Sequence, residues 1–165
     1  MTQLASHGLK LVLVQPQIAP NTGNIGRLCM ASGTALHLVR PLGFSLSDSM
    51  LKRSGLDYWP RLKPVIHDDE NAFLNMVRDQ PGQKWLFSSK GTQNFWQARF
   101  ISHDWLIFGS ETHGLSDTLL QRYQQTVLKI PQVEQERCLN LATAAGIGLY
   151  EALRQLAFPP NHRQS

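Results

Sequence analysis

Six short apolar runs recur along the chain: "LKLVLVQ" (9–15), "ALHLVR" (35–40), "KPVIH" (63–67), "KWLFSS" (84–89), "DWLIFG" (104–109) and "QTVLKIP" (125–131). Each is rich in Leu, Val and Ile, too short for a helix, and closed by Pro, Gly or polar residues, the pattern of a strand buried on both faces. Between them lie helix-like stretches: "NIGRLCMASG" ending on Gly33, "LSDSMLKRSG" ending on Gly55, "DDENAFLNMVRDQPG" with an acidic start and a Pro-Gly stop, and "CLNLATAAGIGLYEALRQLAF". Strands alternating with helices need crossover connections. The expected fold class is therefore α/β, a mostly parallel sheet with helices on both faces. The length of 165 residues suits one domain, and no repeat, linker or low-complexity segment divides it. The reading is a single domain over 1–158 with a flexible tail at 159–165.

Composition narrows the function classes. A net charge of +4 and a pI of about 9.3 suit a polyanionic partner. Charged side chains make up 17% of the chain, against roughly 25% in an ordinary soluble domain, so uncharged surface is expected to be hidden in a subunit interface or pocket. Cys29 and Cys138 are too few for a disulfide framework, and no Cys/His cluster has metal-ligand spacing. Two reduced thiols in a cytoplasmic protein without a metal are expected. No signal peptide is visible at the N-terminus, and no apolar run approaches the ~18 residues of a membrane span.

In open parallel sheets, ligands bind beyond the carboxyl ends of the strands. Here those positions carry "PQIAPNTGNIGR", "SSKGTQN", "GSETHGL" and "IPQVEQERCLN". "APNTGNIGR" (19–27) reads as a Pro-Asn turn, two glycines and a helix start, offering free backbone N–H groups and a positive helix end to a phosphate. It matches neither G-x-G-x-x-G nor the Walker lysine pattern, which weighs against those nucleotide loops. Asn21 and Arg27 are either a turn-former and a surface helix residue, or a loop residue and a cation reaching back from the first helical turn toward an anion. In "FGSETHGL" (108–115), Glu111 is either the cap of the next helix or an acceptor at a ligand's edge, with Gly109 permitting close backbone approach or positive φ. His113 reads as a solvent-facing loop residue, and Ser110 lacks the G-x-S-x-G context of a hydrolase nucleophile. On the final helix Ala142, Ala144, Ala145, Gly146 and Gly148 leave one side bare, although a helical glycine costs roughly 1 kcal/mol relative to alanine. Either another helix or chain packs there, or the bare side helps wall a pocket for a flat polar ring.

These segments, in this order, resemble those of the SPOUT class of RNA methyltransferases that use S-adenosyl-L-methionine (AdoMet), and in particular the small tRNA wobble-nucleotide 2′-O-methyltransferases. "LVLVQPQIAPNTGNIGRLCMASG" (11–33) is similar to their first motif, "LKRSGLDYW" (51–59) to a stretch peculiar to the wobble group, "FGSETHGL" to the second motif and "IPQVEQERCLNLATAAGIGLYEALRQ" (130–155) to the third. The resemblance implies a deep C-terminal trefoil knot, with AdoMet bent among the knotted loops. The cofactor contacts it implies are Phe87, Gly109, Ile130 and Cys138, with Leu139 beside them. It implies Arg27 near the reactive hydroxyl, Asn21 shaping its loop, and Glu111 and Asn140 ordering the site. The implied partners are a tRNA anticodon stem-loop and a second copy, paired through the knotted region with Tyr150 at the interface. Many relatives carry serine where this chain has Cys138, which leaves a backbone contact possible and removes a hydroxyl. The rival readings are a ribose methyltransferase acting on rRNA or another tRNA position, and a non-catalytic RNA-binding domain that keeps the knot.

Overall fold

The computed structural model describes residues 4–47 and 57–158. Seven strands form one parallel sheet: β1 (Lys10–Val14), β2 (Ala35–Val39), β3 (Val65–His67), β4 (Lys84–Phe87), β5 (Gln93–Asn94), β6 (Trp105–Phe108) and β7 (Val127–Lys129). Their order across the sheet is β3-β2-β1-β6-β4-β7-β5. The helices are α1 (Ala19–Ser32), α2 (Trp59–Leu62), α3 (Glu70–Val77), α4 (Asp117–Arg122) and α5 (Leu141–Ala157). The expected α/β class and all six expected strands are present.

Alternation along β1 shows how one strand serves two layers. Leu11 and Leu13 pack with Ile25 and Cys29 of α1 and with Ala145 and Leu149 of α5. Val12 and Val14 face the other way, with Phe73 and Val77 of α3 and Leu119 of α4. Successive side chains of a strand point to opposite faces, so a strand covered on both sides must be apolar throughout. Leu11, at the centre, lies opposite Leu36 on one neighbour and Leu106 on the other.

The elements depart from expectation mainly at their ends. α1 starts at Ala19, five residues before the expected "NIGRLCMASG", because Pro20 tolerates a first helical turn rather than making a loop. Its Ile18 cap residue supplies no side-chain acceptor. α5 starts at Leu141 and not at Cys138: the Asn140 side chain accepts from the N–H groups of Ala142 (2.9 Å) and Thr143 (3.2 Å), which fixes the first turn. α2, α4 and β5 were not anticipated. Of the helix expected over 46–55, residues 48–55 lie outside the described residues, as does the tail expected at 159–165.

Strands β1 and β6 lie side by side, and the chain leaves them for opposite halves of the sheet. The loops after Val14 and Phe108 therefore emerge together at the point where open α/β sheets gather ligands.

Candidate active site

A cavity of about 450 Å³ opens beyond the carboxyl ends of β1, β4, β6 and β7, and all four loops singled out in the sequence border it. Its inner wall carries Phe87 and Phe108, stacked with ring centroids 4.4 Å apart. Gly148 of α5 lies against this pair: a Cβ there would sit 2.9 Å from the Phe87 ring. That contact explains one bare position on the final helix from within the chain. Gly146 is different, because a Cβ there would meet nothing within 4 Å.

The loop after β6 closes on itself. Ser110 N–H donates to Gly114 O (3.2 Å) and Gly114 N–H to Ser110 O (3.0 Å), with Gly114 at φ 66°. A Cβ on Gly109 would lie 2.2 Å from the Gly114 carbonyl carbon and 2.4 Å from Leu115 N. The close approach that requires glycine at 109 is therefore made by the loop's own backbone, and the positive φ belongs to Gly114.

Glu111 does not cap the next helix; Ser116 does, accepting from Leu119 N–H at 3.2 Å. Instead the Glu111 carboxylate crosses to the start of α1. It accepts from the backbone N–H of Gln17 (2.7 Å) and Ile18 (3.2 Å) and from Asn21 Nδ2 (3.3 Å). This carboxylate occupies the positive helix end where the sequence suggested a phosphate, and supplies what the side chain of Ile18 cannot. Asn21 is buried, and its Oδ1 accepts from Asn140 Nδ2 at 3.0 Å. Asn140 in turn caps α5. One chain of hydrogen bonds, Glu111–Asn21–Asn140, thus ties the starts of α1 and α5 to the loop after β6.

Eight of the nine site residues expected from sequence border the cavity: Asn21, Phe87, Gly109, Glu111, Ile130, Cys138, Leu139 and Asn140. Arg27 does not. It lies beyond the second turn of α1, exposed, with its guanidinium carbon 5.3 Å from the centre of the Tyr58 ring. With α1 beginning at Ala19, Arg27 stands six residues after Asn21, about 240° round the helix, on a different face from the one that borders the cavity. His113 is exposed as expected, yet borders the cavity. Lys90 and Lys129 are further cations at its rim; in the sequence their only signal is their place just past β4 and at the end of β7.

Residues 8–150 match the model of the SpoU rRNA Methylase family. The chain belongs to the SpoU methylase family. A Synechocystis sp. protein provisionally named tRNA (cytidine(34)-2′-O)-methyltransferase is 52% identical to this SpoU methylase over 149 residues, 90% of this chain and 97% of that protein. The tRNA (cytidine(34)-2′-O)-methyltransferase of Burkholderia cenocepacia is 40% identical over 149 residues, again 90% of this chain and 96% of that one. A solved structure described as giving insight into 2-OH methylation of C/U34 on tRNA superposes with a TM-score of 0.84 at 46% identity, covering 93% of this SpoU methylase and 99% of that chain.

Proposed function

We propose that this SpoU methylase transfers a methyl group from AdoMet to the ribose 2′-hydroxyl of the wobble nucleotide, a cytidine or uridine, in a tRNA anticodon. The observation that carries the reading is the cavity at the β1/β6 switch, walled by the three family motifs, in a chain whose similarity to wobble methyltransferases runs through nearly its whole length.

The lining fits the donor. A cavity of about 450 Å³ falls within the roughly 300–1,000 Å³ of small-molecule sites. Apolar groups from Phe87, Ile130, Leu139 and Ala144 stand beside the polar groups of Ser88, Ser110 and Gln132, as a molecule with a flat ring and charged ends requires. Phe87, Gly109, Ile130, Cys138 and Leu139 would hold AdoMet, which when bound supplies an electrophilic methyl carbon. Among the described residues no cluster of His, Cys, Asp or Glu could hold a metal ion.

A ribose hydroxyl is a poor nucleophile until its proton leaves. Arg27, a guanidinium cation, serves best as the group that stabilises the developing alkoxide or grips the adjacent phosphate. Glu111, Asn21 and Asn140 keep the cavity in shape by spending their polar atoms on one another and on backbone N–H groups. Lys90 and Lys129 at the rim are placed to meet RNA phosphates.

The same reading includes a homodimer, with the outer face of α5 in the interface. Ile147, Tyr150 and Phe158 are exposed there, and Gly146 leaves space for a close neighbour. It also includes the C-terminal trefoil knot and a cytoplasmic location, where tRNA and AdoMet meet.

The deciding experiment supplies tritiated AdoMet and unmodified tRNA, then maps the methylated nucleotide by mass spectrometry of the digest. Ribose label at position 34 is expected. Label at another tRNA position or in rRNA would replace the substrate, and absence of transfer with AdoMet bound would favour a binding module. Sedimentation is expected to give a dimer; a stable monomer at micromolar concentration would remove that part.

A further inference from the structure

We propose that Tyr58 is a positioning residue that fixes the Arg27 guanidinium for methyl transfer, a role that rests on the reading of Arg27 given above. Tyr58 is buried and grips α1 at two points. Its ring lies 5.3 Å from the guanidinium carbon of Arg27, within the range of a cation–π contact. Its hydroxyl donates to the carbonyl of Gly23. That carbonyl is four residues before Arg27, the helical acceptor for the N–H of Arg27 itself. One side chain therefore holds both the backbone turn that carries Arg27 and the charged end of its side chain.

Gly26 of the first motif makes room for this grip. A Cβ on Gly26 would lie 3.0 Å from Leu62 Cδ2, 3.3 Å from the Trp59 ring and 3.3 Å from Tyr58 Cε2. A side chain here would crowd Leu62, Trp59 and Tyr58, each of which would have to give way, so "GNIGR" and "DYW" are two halves of one contact. Burial pushes the Tyr58 hydroxyl above its ordinary value, while the charge of Arg27 pulls the other way. The phenol stays neutral and able to donate.

Arginine on an exposed helix position has many rotamers to lose, and pinning it beforehand removes that loss from the reaction. The consequence belongs to turnover rather than to binding of either substrate.

The test uses the full-length protein with AdoMet and unmodified tRNA. Tyr58→Leu, which removes the ring, is expected to lower kcat at least tenfold, with KM for tRNA and Kd for AdoMet changed less than about twofold. Tyr58→Phe keeps the ring but loses the hydroxyl's hold on the turn, and its kcat is expected to fall between those of the wild type and Tyr58→Leu. Combining Tyr58→Leu with Arg27→Ala is expected to cost no more than Arg27→Ala alone. A Leu effect that falls on KM, or that multiplies with Arg27→Ala, overturns the proposal. The wild-type protein gives an independent reading should Tyr58→Leu fail to fold: ring currents shift the Arg27 side-chain protons upfield, and resonances at ordinary arginine positions overturn the proposal. Arg27→Ala with normal activity sinks the reading of Arg27 instead, while leaving that upfield shift in place.

Discussion

At its N-terminal end α1 is held by charge and hydrogen bonds, as Glu111 takes two backbone N–H groups and Asn21 links it to Asn140. Two turns later the same helix is held by shape, with Tyr58, Trp59 and Leu62 seated on the bare face at Gly26. The first arrangement spends polar groups on building a cavity, so the residues involved have little capacity left for chemistry. The second leaves Arg27 on the surface with its guanidinium beside the Tyr58 ring. In the function proposed above, a helix that borders the cavity with one face and presents Arg27 on another would separate donor binding from activation of the acceptor.

Gly109→Val breaks the cavity side and should have the largest effect. Its Cβ would sit 2.2 Å from the Gly114 backbone, where nothing can move without opening the loop, so loss of AdoMet binding by calorimetry and a lower Tm are expected together. Retained binding would mean that the loop tolerates reshaping. Arg27→Ala breaks the other side. Methyl transfer should fall on the order of 100-fold or more, as when a group acting on developing charge is removed, while AdoMet affinity stays within about twofold. Loss of affinity as severe as that of Gly109→Val would erase the separation.

Glu111→Gln sharpens the contrast more gently. The amide keeps one acceptor but puts a donor against the N–H groups of Gln17 and Ile18, so denaturant unfolding should show about 2 kcal/mol lost, with part of the AdoMet affinity. Unchanged stability would mean that water serves α1 as well as the carboxylate does.

The far edge of the sheet provides a control away from both regions. His37 Nδ1 and His67 Nε2 are 2.9 Å apart on β2 and β3, stacked and buried. Burial, with His67 and Lys10 nearby, lowers the His37 pKa from 6.5 to about 4, and burial lowers that of His67 despite Asp68. Because the unfolded chain then binds the proton more tightly, the stabilisation is complete above about pH 6.5 and is lost as the pH falls toward 4. A loss of about 1 kcal/mol between pH 7 and 5.5 is expected from urea unfolding, and His37→Gln should flatten that slope. An equal slope in the variant would assign the acid sensitivity elsewhere.

How much of this was legible follows from how far apart the interacting residues stand. The buried strands were readable because a parallel strand covered on both faces has no polar alternation to confuse the pattern. β5, two polar residues at the sheet's edge, has no apolar signature at all. The start of α1 was missed because its cap comes from Glu111, remote in sequence, and a Pro-Asn pair reads locally as a turn. Which residues border the cavity followed from the strand-end rule and the motif resemblance together, whereas the setting of Arg27 did not: nothing in "NIGR" reveals that Tyr58 will lie beside it.

The smallest expected effect concerns the two cysteines, which occupy the two kinds of environment compared above. Cys138 is exposed at the cavity, on the loop before α5, whereas Cys29 is buried in α1 among the leucines of β1. Burial pushes the Cys29 thiol up to about 12, so almost no thiolate exists there near neutral pH, and reagents cannot reach it in the folded chain. Iodoacetamide at pH 8 should therefore attach one label per native chain, mapped by mass spectrometry to Cys138, and saturating AdoMet should slow that labelling several-fold. Cys138→Ser should abolish labelling yet leave AdoMet affinity within about twofold, because the contact ascribed to this position comes from its backbone. Protection by AdoMet with a large loss of affinity in Cys138→Ser would give the sulfur a direct part in binding. Labelling indifferent to AdoMet would move the cofactor away from the start of α5 altogether.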